Sequence, residues 1–454
     1  MTTTHDEDRR RLAAVVLAVL VSQVLLYPGV DDLVVALGSP GGIDAGMWFL
    51  VAEFSAFVAF AAVWGALSDA LGRRVPLVIL GAFGGAASYL LLTVLPGLGV
   101  GFEVALLVRL VGGELTIAAF SLSITMLMDL AGGHGRNMGA AGIAIGLGAA
   151  VGSTTGGVLA DIDPFYPVYA AAAVLVSAGL LAATVPDRAG EVVGTVAVGT
   201  DAVDSGAAAD PTPDAGAAPA TPASPGTPAS EGPTPDGSQN QGLSGVDARG
   251  EVGFLDVLAR TRSTPTLLVP FAFGFIDRLT AGFFSLVGIY YFREVFELSA
   301  TGAGLTLALF FVPFALLQYP FGSLSDRIGR FYPVVGGSLA YGAVVIGVGI
   351  APTYAVAAGM MVLVGVCGAL VAPATMALVT DLVDVEARGA AMGAFNVFGS
   401  LGFLTGFLVG GGMAETFGYI PAFLVVGGLE LVIAVALFPI VRDITSDAGS
   451  LGDA

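Results

Sequence analysis

Lysine is absent from this 454-residue sequence, and other residues of active-site chemistry are scarce. All 17 basic residues are arginine, and the chain has one cysteine, Cys367, and two histidines, His5 and His134. A chain without lysine has no P-loop of the GxxxxGK[ST] type and no amine for a Schiff base. One cysteine and two histidines cannot form an internal disulfide or a Cys/His metal site. The sequence therefore predicts no ATP-driven motor, no metal centre and no cofactor.

Charged residues are also few, at 12% of the chain, whereas soluble globular domains carry about 25%. Hydrophobic residues make up 56% of the chain, and the mean hydropathy is +0.88. This composition excludes an ordinary soluble enzyme and predicts an integral membrane protein. The net charge of −19, from 17 basic and 36 acidic residues, together with the lack of lysine, resembles that of proteins adapted to a salt-rich cytoplasm; a GC-rich genome is the alternative explanation of the lysine deficit.

Membrane spans are predicted from apolar runs of about 20 residues, the length that crosses roughly 30 Å of hydrocarbon. The first run follows Arg9–Arg11 and is similar to a signal peptide. However, its apolar stretch exceeds the usual ~7–15 residues and eleven further runs follow, so we expect it to be retained. The predicted spans form two groups of six: 12–37, 46–67, 75–95, 100–128, 139–160 and 164–186, then 264–291, 301–321, 332–351, 354–380, 389–413 and 419–441.

Arginine is concentrated in alternate loops, and this pattern predicts the orientation of the chain. If both termini lie inside, 14 of the 17 arginines fall in inner segments; Arg293 is in an outer loop, and Arg109 and Arg278 lie within spans. Acidic residues crowd the outer ends instead. The sequence thus predicts a multi-pass protein of the cytoplasmic membrane with both termini in the cytoplasm.

A segment between the two groups of spans differs from the rest in composition. Residues 187–251 contain eight prolines, ten acidic residues and two arginines, and such a segment cannot bury enough apolar surface to fold. The following stretch, 253–262, has an apolar side that suits a short interfacial helix. We therefore expect three regions: a six-helix bundle over 1–186, a disordered acidic cytoplasmic linker with the interfacial helix over 187–262, and a second six-helix bundle with a tail over 263–454.

An internal repeat relates the two groups of spans. GALSDALGRR at 65–74 recurs as GSLSDRIGR at 322–330, which aligns Asp69 with Asp326. Small residues at every fourth position let helices approach closely in lipid, and such glycines occur in the fifth and eleventh spans. These helix-packing glycines are Gly148, Gly152, Gly156 and Gly157, and Gly402, Gly406 and Gly410. A duplicated six-span unit is the architecture of one large class of secondary transporters.

The loop after the second span carries a family resemblance. Its sequence is similar to G-x-x-x-D-x-x-G-R-[RK], the best-known signature of the major facilitator superfamily. The resemblance implies an all-α integral membrane fold of twelve transmembrane helices in two pseudo-symmetric six-helix bundles. It also implies a cytoplasmic gating motif, in which these loops latch the halves together; the alternative is that short basic loops only set topology. The motif residues are Gly65, Asp69, Gly72, Arg73 and Arg74, with Asp326 and Arg330 in the second copy.

Two further motifs resemble the twelve-span drug:proton antiporter branch of that family. LLVRLVGG at 106–113 is similar to R-x-x-Q-G, with Gly112 where the branch has glutamine. GAAVGSTTGG at 148–157 is similar to G-x-x-x-G-P-x-x-G-G, with Ser153 where the branch has proline. The resemblance favours antiport, and the two departures leave uptake open.

Charges within the spans of the first half are the main candidates for transport and coupling: Arg109, Glu114 and Glu53. A charge at bilayer depth costs at least ~2.5 kcal/mol, so each should face the bundle interior and have a partner. The repeat aligns Arg109 with Met361 and Glu114 with Val366, both apolar. Charges present in one half favour function over a buried structural ion pair, which stays the alternative. Glu53 is either the partner of Arg109 or a proton-carrying carboxylate.

The second half has charges of its own within spans. Asp277 and Arg278 are adjacent in the seventh span and form a second polar centre, either for a charged substrate or proton or as a structural pair. Glu430 is a lone acid in the twelfth span, for which a structural or protonated role is expected.

These observations predict a non-enzymatic secondary transporter that works by alternating access in the lipid bilayer. The favoured function is proton-coupled efflux of an amphipathic or lipophilic small molecule. Sodium is the alternative coupling ion. The alternatives are a symporter or facilitator for uptake of a sugar or carboxylate, and a membrane receptor that does not transport. We expect a monomer with no nucleic-acid partner.

Overall fold

The computed structural model describes residues 2–130, 134–187, 265–384 and 387–450, and no strand occurs among them. The helices of the first half are α1 (Thr2–Val24), α2 (Val30–Ala36), α3 (Ile43–Leu71), α4 (Val75–Leu98), α5 (Phe102–Met128), α6 (His134–Ala160) and α7 (Tyr166–Ala182). Those of the second half are α8 (Leu268–Phe283), α9 (Ile289–Val295), α10 (Ala300–Ile328), α11 (Gly337–Gly349), α12 (Tyr354–Asp381), α13 (Arg388–Phe417) and α14 (Tyr419–Ser450). A 3₁₀ turn (Pro265–Leu267) precedes α8, and π-helical turns lie between α8 and α9 (Phe284–Gly288) and before α11 (Tyr332–Gly336).

Ten helical segments of the described chain are long and apolar enough to cross a membrane, and they coincide with ten of the twelve predicted spans. The sixth predicted span is α7, an apolar helix of 17 residues. The first is α1 together with α2. The predicted class, an all-helical membrane fold in two related halves, is confirmed.

The first span is broken in its middle, where the sequence has Pro28 and Gly29. Regular helix ends at Val24 and resumes at Val30. At its other end, α1 begins at Thr2, before the predicted start of the span. Ion pairs within the first turns, such as Arg9 with Asp6 at 2.5 Å, stabilise this polar extension.

The predicted linker lies almost wholly outside the described residues, as does the interfacial helix at 253–262. The first residue of the linker, Asp187, is described. The Asp187 carboxylate accepts the backbone N–H groups of Arg74 and Val75, each at 2.9 Å, and so caps the start of α4. Asp187 therefore belongs to the first bundle, because the exposed amides of a helix N-terminus favour a carboxylate.

Glycines set the closest helix contacts within each half. A Cβ on Gly148 or Gly152 of α6 would meet the backbone of α1, and one on Gly156 would meet the backbone of Leu25, just beyond the end of α1. A Cβ on Gly402 or Gly406 of α13 would meet the backbone of α8. A Cβ on Gly410 would meet the Phe283 ring, also in α8. The two faces are equivalent under the repeat, so the same small-residue contact is made twice.

The loops with the repeated motif lie at one face of the bundle, which we call the motif face. The two halves contact one another from the other face, here the opposite face, and along α6 and α10 as far as Gly142 and Gln318. Helix α6 packs on α10, where Gly157 lies against the backbone of Ala300 and Thr301. Helix α3 packs on α13, where Met47 lies against Gly411.

Candidate functional site

A buried ion pair joins α3 to α5 in the first half. The Arg109 guanidinium donates to the Glu53 carboxylate, and the side chains are 3% and 1% exposed. Tyr89 of α4 donates its hydroxyl to the same carboxylate at 3.3 Å. The guanidinium carbon also lies 4.6 Å from the Phe49 ring centroid and 5.2 Å from that of Tyr89, within cation–π range. The charge of Arg109 is therefore compensated from several sides.

Close packing of α5 on α3 brings the two charges together. A Cβ on Gly113 would meet the Glu53 backbone, with Cα at 3.0 Å, so only glycine fits at this crossing. In the second half Gly365 packs in the same way against the Phe310 backbone. The register that aligns Asp69 with Asp326 places Phe310 opposite Glu53. The register that aligns Gly113 with Gly365 places Met361 opposite Arg109. The helix contact is thus repeated without its charges.

Glu114 does not join this pair. It is half-buried one turn further along α5, and its backbone carbonyl accepts the indole N–H of Trp64 at 2.9 Å. Of the two acids predicted as partners of Arg109, the structure therefore selects Glu53. The rotation between positions 109 and 114 on a helix turns their side chains apart.

An aromatic contact between the halves lies next to the ion pair. Phe54, which follows Glu53 in α3, stacks on Phe403 of α13 with ring centroids 4.6 Å apart and planes at 13°. Phe407 and Phe57 complete the cluster, with centroids 5.3 and 5.1 Å from Phe54. Offset stacks of this kind add about 0.5–1.5 kcal/mol each to area burial. The buried charges are thus one residue away from the boundary between the halves.

The second polar centre lies on α8, beside the same boundary. Asp277 is 5% exposed, and its Oδ2 lies 3.9 Å from Arg278 Nε. The Arg278 side chain is 41% exposed and passes over Gly399 of α13, one turn from Phe403. A charge exposed at this depth lies in a wet cavity rather than in lipid. We therefore place the Arg278 guanidinium in the cleft between the halves.

At the motif face one ionic cluster forms in each half, around an arginine of the motif loop. Arg74 bonds Asp69 at 3.3 Å and also bonds Asp129. In the second half Arg330 bonds Asp326 at 2.5 Å and Asp381 at 3.0 Å. Each cluster joins the motif loop to the next loop of its own half.

The sequence places Asp69 and Arg73 together in the gating motif; in this conformation Asp69 bonds Arg74 instead. Gly72 adopts φ +61°, in the left-handed region, and this turn leaves Arg73 exposed while Arg74 faces the two carboxylates. Gly65 lies where a Cβ would meet nothing within 4 Å, so packing does not require glycine there.

Known proteins match this chain in sequence and in fold. Residues 266–451 match the family model of the Major Facilitator Superfamily. A bacterial homologue of the human lysosomal transporter Spinster, solved inward-facing and unoccupied, has a TM-score of 0.71 at 14% identity, over 99% of both chains. The second half of this chain thus matches the superfamily in sequence, and the described chain has its all-helical, multi-pass membrane fold.

Other relatives are more distant or match in part. The multidrug resistance protein MdtG of Yersinia enterocolitica is 31% identical over 155 residues, which are 32% of this chain. That match spans 37% of the length of MdtG. The nucleoside transporter NupG has a TM-score of 0.67 at 14% identity, over 96% of this chain and 99% of NupG. The human organic anion transporter MFSD10 has a TM-score of 0.59 at 20% identity, over 94% and 99%.

At the opposite face the transporter is closed by polar contacts between its halves. The Asp161 carboxylate accepts the backbone N–H groups of Ala300 at 2.8 Å and Thr301 at 3.0 Å, at the start of α10. Arg293 bonds Asp32 at 2.8 Å, and the Tyr290 hydroxyl donates to the Gly42 carbonyl at 3.1 Å. From the sequence alone, Asp161 and Asp32 are only acidic residues at the outer ends of spans.

The electrostatics of Asp161 follow from this position. Partial burial alone raises the pKa of the carboxyl, but hydrogen bonds from Thr301, Ser299 and Ala300 outweigh it and lower the pKa below 3.8. Asp161 is therefore ionised throughout the neutral range. Its acidic neighbour Asp163 instead bonds within the first half, to the Phe165 amide at 2.8 Å.

Proposed function

We propose that this transporter exports an amphipathic or lipophilic small molecule across the cytoplasmic membrane in exchange for protons. The buried Glu53–Arg109 pair carries the proposal. It is the element of the repeated helix contact that occurs in the first half alone, and it lies one residue from the aromatic contact between the halves. A structural role would be served equally by the apolar pair that the second half uses.

A carboxylate held by one arginine at the boundary is suited to proton coupling. Protonation of Glu53 would break its ion pair and leave Arg109 charged in an apolar site, at a cost of several kcal/mol. The neighbouring contact of Phe54 on Phe403 connects that local change to the packing of the halves. Proton binding and movement of the halves are then linked in one element.

The cargo is inferred from what surrounds the cleft. Phe54 and Phe403 are partly exposed and offer an apolar aromatic surface, against which the buried Phe57 and Phe407 pack, and Arg278 offers one cation beside it. Such a surface suits a molecule with a lipophilic body and a polar end. Partial similarity to a multidrug resistance protein supports efflux of such compounds.

The conformation and the orientation fit this cycle. The halves are joined at the opposite face, while each ionic cluster at the motif face stays within its own half. With both termini in the cytoplasm, as the arginine distribution indicates, separation of the halves at the motif face would open the cleft to the cytoplasm and load a cargo for export.

The test is transport by purified protein in lipid vesicles under an imposed pH gradient, with a panel of lipophilic cations, lipophilic anions, sugars and carboxylates. Export coupled to counterflow of protons is expected for wild type. Glu53→Gln with Arg109→Met, which gives the first half the apolar character of the second, should fold and bind cargo but lose response to the gradient. Arg10→Gln, which changes a charge outside the spans, is the matched control.

Uptake is the second candidate, since Ser153 and Gly112 depart from the antiporter motifs. Flow of protons and a sugar or carboxylate in the same direction would establish it and overturn efflux. A gradient response that survives in the double variant would remove Glu53 and Arg109 from the coupling mechanism.

A further inference from the structure

A second buried acid, outside the Glu53–Arg109 pair, lies within the second half. Glu430 of α14 has 0% exposure. Its Oε2 accepts a hydrogen bond from the Thr280 hydroxyl of α8 at 3.4 Å, and its Oε1 has no hydrogen-bond partner. An ionised carboxylate with one long hydrogen bond and no cation beside it is among the most costly groups to bury.

Two hydroxyl groups of α11 are buried near Glu430. Ser338 and Tyr341 are both fully buried; the Ser338 hydroxyl interacts with the Glu430 carboxyl, and the Tyr341 Oη has no hydrogen-bond partner among the described residues. Both belong to the same electrostatic neighbourhood as the acid. Helix α11 is held against α14 here by Gly342, whose Cβ would lie 3.0 Å from that of Glu430.

The other charged and titratable groups near Glu430 come from α8 and α12. Asp277, on α8, is close enough for its charge to oppose a negative charge on Glu430. Arg278 is next to Asp277, at 3.9 Å, and faces the cleft. Cys367, on α12, is half-buried and also interacts with Glu430. The neighbourhood thus has two acids and one arginine, and the arginine contacts Asp277.

One added proton removes all of these difficulties. A proton on Oε1 abolishes the buried charge and its repulsion with Asp277. It also converts an unpartnered acceptor into a donor, for which the Ser338 Oγ is an available acceptor. Buried polar atoms are normally paired, so an unpaired carboxylate oxygen beside a buried hydroxyl indicates a missing proton.

We propose that Glu430 is a proton-binding site, in which a proton on Oε1 keeps the buried carboxyl neutral and is donated to the Ser338 hydroxyl. Proton binding by Glu430 stands without the proposed transport; its use in transport rests on the proposed function.

The proton is measured by infrared spectroscopy of the full-length protein in lipid, through the carbonyl stretch of a protonated carboxylic acid and its shift in deuterated water. At neutral pH, wild type should show a band that disappears in Glu430→Gln and remains in Glu53→Gln. Glutamine resembles a neutral carboxyl, so Glu430→Gln should keep the melting temperature of wild type. Ser338→Ala and Tyr341→Phe leave Glu430 in place, and at least one should shift the band.

A band that is absent from wild type, or that no variant at these positions changes, would overturn the proposal. Sodium chloride that raises the melting temperature of wild type above its value in choline chloride, but not that of Glu430→Gln, would make this a sodium site instead. In vesicles, Glu430→Gln should lower the number of protons moved per cargo molecule. If the band behaves as expected but neither wild type nor any variant couples protons to transport, the proposed function fails and the proton site stands.

Discussion

Asp161 in the first half accepts the backbone N–H of Thr301 in the second half at 3.0 Å, and so caps a helix across the boundary between the bundles. Helix caps usually come from the same segment, where Ser, Thr, Asp or Asn precedes the helix. Here Ser299 supplies the local cap through Gly302, and Asp161 adds two further bonds from across the boundary. These bonds form only when the opposite face is closed.

Replacing Asp161 with alanine should favour opening of the opposite face. Hydrogen bonds to a charged group contribute about 1.5–3 kcal/mol, so the ratio of open to closed protein should rise by roughly tenfold or more. The measurement is the distance between spin labels placed across the boundary at Asp161's loop and the start of α10. Asp163→Ala removes an acid two residues away that bonds within its own half, and it should leave the distance distribution unchanged. Equal effects of the two substitutions would contradict the assignment.

Closure at this face should be insensitive to pH over the neutral and mildly acidic range. The pKa of Asp161 is lowered in the closed state, so its contribution is present above the carboxyl's ordinary value of 3.8 and is lost as the pH falls through the lowered pKa. The same spin-label distances, recorded from neutral pH down to about pH 4, should therefore show a constant closed fraction. Opening that begins near neutral pH would show that another group governs this face.

Glycine at position 113 should be needed for coupling as well as for packing. The Cβ of an alanine there would clash with the backbone of Glu53, so α5 should shift away from α3 and loosen the ion pair. Overpacking of this kind costs about 1–3 kcal/mol. Gly365→Ala creates the same conflict against the Phe310 backbone without a charge nearby. We expect similar losses of melting temperature in both variants, and a larger loss of gradient-driven flux in Gly113→Ala.

A third glycine provides the control for helix propensity. At Gly359 of α12 a Cβ would meet nothing within 4 Å, so alanine should stabilise the helix by up to about 1 kcal/mol. If Gly113→Ala and Gly365→Ala reduce flux equally, the special role of the charged crossing is contradicted.

Arg74, rather than Arg73, should stabilise the motif face in this conformation. Arg74→Ala removes bonds to two carboxylates and leaves Asp69 and Asp129 facing each other without a cation, whereas Arg73→Ala removes an exposed side chain. Exposed single pairs contribute at most about 1 kcal/mol, so the expected loss of melting temperature for Arg74→Ala is modest but larger than for Arg73→Ala. The reverse order would show that Arg73, not Arg74, stabilises this face.

The sequence predicted the fold well because its signals are repeated and local. Apolar length located the spans, and the two copies of the Asp69 loop established the duplication. The pairing of Arg109 was harder, since Glu53 and Glu114 are both within reach by position. The choice depends on helix rotation at the Gly113 crossing, which no local pattern records.

Other parts of the site had no signal in the sequence at all. Phe403 is one of 28 phenylalanines, and only its place opposite Phe54 distinguishes it. Acidic residues are common at the outer ends of the spans, so nothing in the sequence distinguishes Asp161. The N–H groups that it binds belong to a helix about 140 residues away. Contacts between the halves arise from tertiary packing, so they become visible only in the folded protein.

Neutralising both members of the Glu53–Arg109 pair should destabilise the protein less than neutralising one. Arg109→Met alone leaves a buried carboxylate without its cation, and breaking a buried pair in this way costs about 3–5 kcal/mol. Glu53→Gln with Arg109→Met removes both charges from a site whose counterpart, Phe310 with Met361, is apolar and well packed. The melting temperatures of the two single variants, the double variant and wild type form a double-mutant cycle, in which a strong favourable coupling is expected.

If the two single losses simply add in the double variant, the side chains do not interact as the structure shows. If the double variant is stable and still transports against the pH gradient, the pair serves packing alone. Recovery of stability without recovery of coupled transport is the outcome that a functional pair requires.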